Sequence, residues 1–242
     1  MAEVELTFLD AGEAALVAQY GTVVDPAIND RVIALDAALG ALKLEGIRET
    51  VPTYRSLMIH YDPLVIDRAS LVAAVKKVDA APDKPRPAAS RWTIPCCYDP
   101  VFGEDLDQIA EMTGLSAQRV VELHSSATYR VYMYGFSPGY CHLGGLPPEL
   151  NVSRRTNPRP PMPSNAVMIA AGLSLIATFS MPTGWWIVGR TPEDMFAPRR
   201  DPVFLVEVGD EIRFEAVDRG TYDDLVARVA AGEIVARRER LG

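Results

Sequence analysis

A proline-rich segment divides the chain and limits what can fold on either side of it. Residues 80–90 contain three prolines. Proline lacks a backbone N–H and fixes φ, so this segment can neither continue a helix nor donate fully to a sheet. We therefore predict a small domain at residues 1–82, a linker at residues 83–90 and a second domain at residues 91–242.

The hydrophobic pattern of the first domain predicts strands and helices in the order β-β-α-β-β-α. Short apolar runs at residues 4–8 and 14–20 are typical of two strands. Asp25-Pro26 marks a helix start, and apolar residues then recur every three or four positions as far as Gly46. Two more strands and a second helix are predicted at residues 47–51, 57–61 and 67–78. This order predicts an α+β N-terminal domain with its helices on one face of a mostly antiparallel sheet.

The second domain is richer in short strands. A strand is predicted at residues 93–98, followed by two short helices at residues 105–113 and 116–123. Between residues 129 and 216 the chain has many short apolar runs separated by Gly and Pro, which is typical of a β-barrel or sandwich. A last helix is predicted at residues 222–231, before a basic tail.

Charge and composition exclude several classes of partner. The chain has 242 residues, of which 24 are Lys or Arg and 32 are Asp or Glu, so its net charge is −8. No general positive field attracts nucleic acid or an anionic membrane surface. No apolar stretch approaches the roughly 20 residues of a membrane span. Acidic residues near the start do not fit a secretory signal, and we expect a cytoplasmic protein.

His124 is the candidate catalytic residue. It lies at the carboxyl end of the second short helix, beside Ser125 and Ser126. A protonated histidine there interacts favourably with the helix dipole, which predicts a raised pKa in the working range of an acid or base. The alternative is a helix cap whose ring binds the last carbonyls.

Two later segments are candidates for binding an anion. Pro138-Gly139 suits the centre of a type II turn, whose amides could face an oxyanion. Arg154, Arg155 and Arg159 form the strongest positive cluster before the tail, and guanidinium groups bind carboxylate or phosphate bidentately. The alternatives are a tight barrel corner and a solvated basic loop.

Several common catalytic motifs are absent from the sequence. It contains no G-x-x-x-x-G-K-[ST], no G-x-G-x-x-G and no G-x-S-x-G. Its three histidines lack the spacing of a metal site. We therefore expect no metal and no cofactor bound by this chain, and any ATP that its reaction consumes to be bound by another chain.

Four blocks of sequence, taken together, resemble a known family. They are HSSATYRVYMYGFSPGYCHLGGLPPEL, SRRTNPRPPMPSNAV, PTGWWIVGRTPEDMF and VGDEIRF. The family includes the B subunit of prokaryotic 5-oxoprolinase, the first subunit of allophanate hydrolase or urea carboxyltransferase, and the sporulation kinase inhibitor KipI. The resemblance implies a small α/β domain followed by a cyclophilin-like β-barrel, as well as a second carboxyltransferase-like subunit as partner.

The resemblance also implies which residues bind a small anionic or amide substrate. These are Pro138, Gly139, Tyr140, His142, Arg154, Arg155, Arg159, Trp185 and Arg190. One segment departs from the family pattern, because Leu173, Ser174 and Leu175 stand where a Gln and a Thr-Gly are usual. A pocket that loses an amide and gains leucine makes different hydrogen bonds, which predicts either an altered substrate or a subunit that supports assembly.

Three functions are compatible with this resemblance. The first is a subunit of ATP-dependent 5-oxoprolinase, which converts 5-oxoproline to glutamate and is inactive without its partner. The second is the first subunit of a urea-degrading carboxyltransferase and allophanate hydrolase system, which implies a biotinylated partner. The third is an interaction module that inhibits a histidine kinase.

Overall fold

The computed structural model describes residues 5–80 and 89–241. These residues belong to two compact units, which divide between Ala88 and Ala89. The division falls inside the predicted linker at residues 83–90, most of which lies outside the described residues.

The first unit is a four-stranded antiparallel sheet with two helices. Its elements are β1 (Leu6–Asp10), β2 (Ala15–Tyr20), α1 (Pro26–Leu42), β3 (Ile47–Pro52), β4 (Ser56–Tyr61) and α2 (Arg68–Asp79). The strand order in the sheet is β1-β2-β4-β3. Helix α1 begins where the sequence predicts, because the Asp25 carboxylate accepts hydrogen bonds from the amides of Ala27 and Ile28 at 2.8 and 3.3 Å. Leu16, Leu35 and Leu57 are fully buried in the core of this unit.

The second unit contains the remaining strands and helices. They are β5 (Ser90–Cys97), α3 (Leu106–Thr113), α4 (Ala117–Ser126), β6 (Tyr129–Tyr134), β7 (Cys141–Gly144), a 3-10 helix (Pro148–Leu150), β8 (Arg159–Met162), β9 (Ala166–Ala170), β10 (Leu173–Ile176), β11 (Met181–Thr183), β12 (Trp186–Arg190), β13 (Glu211–Val217), α5 (Arg219–Ala230) and β14 (Arg237–Arg240).

Seven of these strands close a β-barrel. Their order is β12-β9-β10-β7-β6-β13-β5, and the circle closes where Arg190 of β12 pairs with Cys97 of β5. β5 and β13 run parallel, while the other neighbouring pairs are antiparallel. β8 and β11 form a separate two-stranded ribbon, and β14 extends the sheet beside β5. The predicted barrel is therefore confirmed.

Two features of the described residues bear on other sequence-based expectations. None of their helices has the length and apolar character that a membrane crossing requires. Residues 203–206, an apolar run within the part of the chain (residues 129–216) predicted to form short strands, form no strand, and Phe204 makes only an isolated bridge to Phe196.

His124 lies in the barrel core and has no exposed surface. Its Nδ1 is 2.8 Å from the Tyr98 hydroxyl, and its Nε2 is 3.3 Å from the Ser174 hydroxyl. The ring also stacks on Phe214, with centroids 4.9 Å apart. Ser174 donates its only proton to the Met168 carbonyl at 3.2 Å, so it must accept from Nε2–H. When the ring is neutral, its Nδ1 therefore carries no proton and accepts the Tyr98 hydroxyl proton.

Burial shifts the pKa of His124 in the direction opposite to the one predicted. Desolvation of the charged ring lowers its pKa to about 3, whereas the helix dipole predicted a raised pKa. That expectation is wrong, because the free energy needed to remove an imidazolium from water exceeds the stabilisation that the helix dipole provides. His124 is neutral in the folded protein at physiological pH.

The buried His124 ring predicts that the second unit loses stability as the pH falls. The unfolded chain binds this proton with the usual pKa of 6.5, but the folded chain does so only near 3. Since the unfolded state binds more protons between these values, the free energy of unfolding decreases as pH is lowered through that window. We expect His124 to contribute a loss of about 2 kcal/mol between about pH 6.5 and 4.5.

Urea unfolding of wild type and His124→Gln at several pH values measures this contribution. All three tryptophans, Trp92, Trp185 and Trp186, lie in the second unit, so their fluorescence reports its unfolding. The His124→Gln curve should be flatter than that of wild type, and a control substitution in the first unit, His60→Gln, should leave the slope unchanged. Parallel curves for wild type and His124→Gln would contradict the assignment.

Candidate functional site

Asp105 is a buried carboxylate that joins three segments of the second unit. It stands immediately before α3 and is 3% exposed. Its Oδ2 accepts hydrogen bonds from the backbone amide of Ile187 on β12 and from Arg159 Nη1, both at 2.8 Å. Its Oδ1 accepts from Arg155 Nη1 at 3.1 Å. A carboxylate so far from water requires such partners, and here they fix α3, β12 and the arginine segment (residues 153–159) together.

Sequence reasoning missed Asp105. It is the first residue of the helix predicted at residues 105–113 and the residue before the observed α3, a position in which an aspartate normally caps the helix. Here the side chain makes no capping bond. The sequence offered one usable signal, an acidic pair, Glu104-Asp105, in the same domain as a cluster of three arginines.

Arg155 and Arg159 are held by internal partners. Arg155 also donates to Gln108 at 3.2 Å, and its guanidinium lies 4.3 Å from the centre of the Trp186 ring. Arg159 makes a second ion pair with Glu104. Most of their charge is therefore compensated inside the protein, and their role in binding substrate stays a prediction.

Arg154 is different, since it makes no ion pair with any of the residues that the structure describes. Its guanidinium lies against the backbone of Gly184, where an added Cβ would be 3.4 Å from Nη2. The neighbouring amide, Arg155 N, donates to the Gly184 carbonyl at 2.8 Å. The loop between β11 and β12 thus supports Arg154 while leaving its charge uncompensated.

Arg154 borders a cavity of about 280 Å³ that brings together four of the predicted substrate-binding residues. The others are Tyr140, His142 and Trp185, and Phe136 lies at the same cavity. The Tyr140 and His142 rings meet edge to face, with centroids 5.6 Å apart. β7 carries His142, whereas Trp185 precedes β12, and β10 and β9 lie between these two strands in the barrel. The cavity therefore depends on residues that are far apart in sequence and come together in the sheet.

The titratable groups of this cavity differ in charge. Burial raises the pKa of Tyr140 to about 12. Burial also lowers the pKa of His142 below its usual value. Both rings are therefore neutral hydrogen-bonding groups near neutral pH, and Arg154 supplies a positive charge. This combination suits a small molecule that carries one carboxylate and an uncharged polar group.

The other predicted site residues lie elsewhere. Pro138 and Gly139 line a larger, more open depression of about 750 Å³. Gly139 has a φ of 73°, and an added Cβ would lie 2.4 Å from Phe196, so this turn requires glycine. Arg190 lies over the Phe102 ring at 4.9 Å, and His124 is in the barrel core.

The described residues contain no group of three or more His, Cys, Asp and Glu side chains arranged to hold a metal ion. The three cysteines are free and buried. Burial raises the pKa of each thiol above its usual value, so none is a reactive thiolate at neutral pH.

Removing the charge of Asp105 should destabilise the second unit. We expect Asp105→Asn to lower its free energy of unfolding by about 3 kcal/mol, because two guanidinium groups lose their buried anion. The matched control is Asp107→Asn, two residues along and exposed, which should change stability by less than about 0.5 kcal/mol. Urea unfolding followed by tryptophan fluorescence measures both, and equal effects would contradict the role given to Asp105.

Comparison with known proteins places the chain in a family. The family model "Carboxyltransferase domain, subdomain C and D" matches residues 6–206. The B subunit of 5-oxoprolinase from Bacillus subtilis (strain 168) is 30% identical over 225 residues, covering 87% of this chain and 92% of that protein.

Solved structures agree on the fold. A conserved uncharacterized protein from Pyrococcus horikoshii is 32% identical, with a TM-score of 0.53 over 89% of this chain and 100% of its own. The urea carboxylase of Kluyveromyces lactis gives a TM-score of 0.82 at 18% identity, covering 98% of this chain but only 24% of that larger chain, and this likeness concerns the fold alone. The chain belongs to the family of the carboxyltransferase domain, subdomains C and D, together with the 5-oxoprolinase B subunits.

Proposed function

We propose that this chain is the B subunit of an ATP-dependent 5-oxoprolinase and that the cavity beside Arg154 binds its substrate. The relative from Bacillus subtilis supports the enzyme class. The observation that carries the proposal is the uncompensated guanidinium of Arg154 in a cavity of about 280 Å³ that Tyr140, His142 and Trp185 also line. The proposal extends to the finer fold, an α/β N-terminal domain and a cyclophilin-like barrel, and to a cytoplasmic location.

The chemistry of the cavity matches 5-oxoproline. This molecule carries a carboxylate and a lactam amide on a small ring. Arg154 can bind the carboxylate bidentately, while the Tyr140 hydroxyl and the neutral His142 ring offer hydrogen bonds to the lactam. Trp185 and Phe136 supply apolar surface for the ring carbons. In this arrangement the chain binds and orients the substrate.

The remaining chemistry requires a partner. The sequence has no nucleotide-binding loop and no nucleophile elbow, so we propose that a second carboxyltransferase-like subunit completes the site and that ATP is bound outside this chain. His124 has no exposed atom through which to reach a substrate. We therefore assign it a positioning role in the barrel core, where it holds Tyr98 and Ser174.

A second candidate is the first subunit of a urea carboxyltransferase system with a biotinylated partner, because one segment of the chain predicts an altered substrate. Leu175, which stands in the segment that departs from the family pattern, is fully buried in the same cluster as Tyr140 and Met181 of the cavity wall. An apolar residue behind this wall removes a hydrogen-bonding group that the usual substrate could use.

The substrate assignment is tested by coexpressing the chain with the second carboxyltransferase-like subunit and the ATP-dependent component. The complex should hydrolyse 5-oxoproline with ATP, and the isolated chain should be inactive. Arg154→Ala should raise KM at least about tenfold with a smaller effect on kcat, because it removes a charged contact to the substrate carboxylate. The control is Arg119→Ala, an exposed arginine on α4 that pairs with Glu122.

Other results of this experiment would contradict the proposal or favour another function. Turnover by the isolated chain would contradict the shared site, and an unchanged KM in Arg154→Ala would contradict the placement of substrate in this cavity. Activity on urea, with bicarbonate and a biotinylated partner, would instead establish the second candidate. A stable complex that acts on neither substrate would favour an altered substrate specificity or the inhibitor function.

A further inference from the structure

A groove of about 560 Å³, separate from the substrate cavity, also has Arg154 in its wall. Nine residues line it, of which two, Arg154 and Arg155, are cationic and none is acidic. The side chains of Asn151, Ser153 and Thr156 add uncharged polar groups. In a protein with a net charge of −8, a groove with arginines and no carboxylate in its wall favours an anion.

The groove is also rich in hydrogen-bond donors that have no acceptor in the described part of the chain. The backbone amides of Ser153, Arg154, Thr156 and Asn157 make no hydrogen bond to another described residue, whereas that of Arg155 donates to Gly184. Arg155 Nε is buried and likewise has no acceptor among the described residues. Two adjacent pairs of amides, 153–154 and 156–157, are thus available beside guanidinium groups, and backbone amides of this kind bind oxyanions.

The charge of the arginine segment is unevenly compensated. Arg155 and Arg159 share the carboxylate of Asp105, and Arg159 also pairs with Glu104. Neither Asp105 nor Glu104 lines the groove. Three arginines against two carboxylates leave one positive charge, which lies on Arg154. Arg155 is held between Asp105 and the Trp186 ring, so its side chain loses little conformational entropy when it binds an anion.

We propose that this groove is a binding site for a phosphate group, formed by Arg154, Arg155 and the free amides of the arginine segment. A phosphate offers more acceptor oxygens and more charge than a carboxylate, and the donors here are numerous enough to use them. Because Arg154 borders both the groove and the cavity, the bound group lies next to the substrate site. The proposal rests on the hydrogen-bond donors and charges of the groove. It does not depend on which amide substrate binds in the cavity.

Calorimetric titration of the full chain with inorganic phosphate at low ionic strength tests this site. We expect one phosphate per chain and weaker binding of acetate. Arg154→Ala should bind phosphate at least about tenfold more weakly, and Arg154→Lys should keep part of the affinity because it keeps the charge. Arg119→Ala, whose arginine lies outside the groove, is the matched control and should bind like wild type.

The position of the ligand is tested by NMR. The backbone amide signals of Ser153, Thr156 and Asn157 should shift as phosphate is added. Absence of saturable binding to wild type, equal affinity of Arg154→Ala, or acetate binding as tight as phosphate would overturn the proposal. Shifts confined to the basic strand β14 would do the same, by placing the ion on the surface.

These outcomes are independent of the enzymatic test. A chain that binds phosphate in the groove, within a complex that leaves 5-oxoproline intact, would retain the groove site and contradict the proposed function. An active complex in which this chain binds no phosphate would support the proposed function and contradict the groove site.

Discussion

The arrangement of the second unit depends on the buried carboxylate of Asp105. One side chain accepts hydrogen bonds from Arg155, from Arg159 and from the backbone of Ile187. A buried ion pair contributes little net stability compared with apolar packing, but removal of one partner leaves a buried charge that is costly. The value of Asp105 is therefore positional, since it fixes an extended, proline-containing segment against the barrel strand β12, where few backbone hydrogen bonds would otherwise hold it.

This constraint gives neighbouring arginines different roles. Asp105 holds Arg155 and Arg159 in place, whereas Arg154, adjacent in sequence to Arg155, keeps an uncompensated charge. The sheet order β7-β10-β9-β12 brings His142 of β7 and Trp185, before β12, to the same cavity as this charge. Arg154 also borders the groove, so the cavity and the groove share one guanidinium. A single positive charge between two concave surfaces is what the proposed substrate site and the proposed phosphate site have in common.

Local sequence patterns predicted much of the fold. Helix α1 begins at Asp25-Pro26 as predicted, because capping depends on adjacent residues. The basic tail has no apolar alternation, so no local pattern predicts β14 there. In the structure all four side chains of β14 are exposed. The pKa of His124 and the contacts of Asp105 depend on burial by residues distant in sequence, which no local pattern encodes. Four residues that the family resemblance implied as substrate-binding line one cavity. Such a resemblance contains information about tertiary structure, whereas hydrophobic periodicity does not.

The most direct test of the different roles of the arginines is side-chain 15N relaxation of their guanidinium groups by NMR. We expect the Nε–Hε groups of Arg155 and Arg159 to be ordered in the free chain, because Asp105 holds both side chains. Arg154 should be mobile in the free chain and become ordered when phosphate is added. Equal mobility of all three arginines, or an Arg154 already ordered and unaffected by phosphate, would contradict these roles.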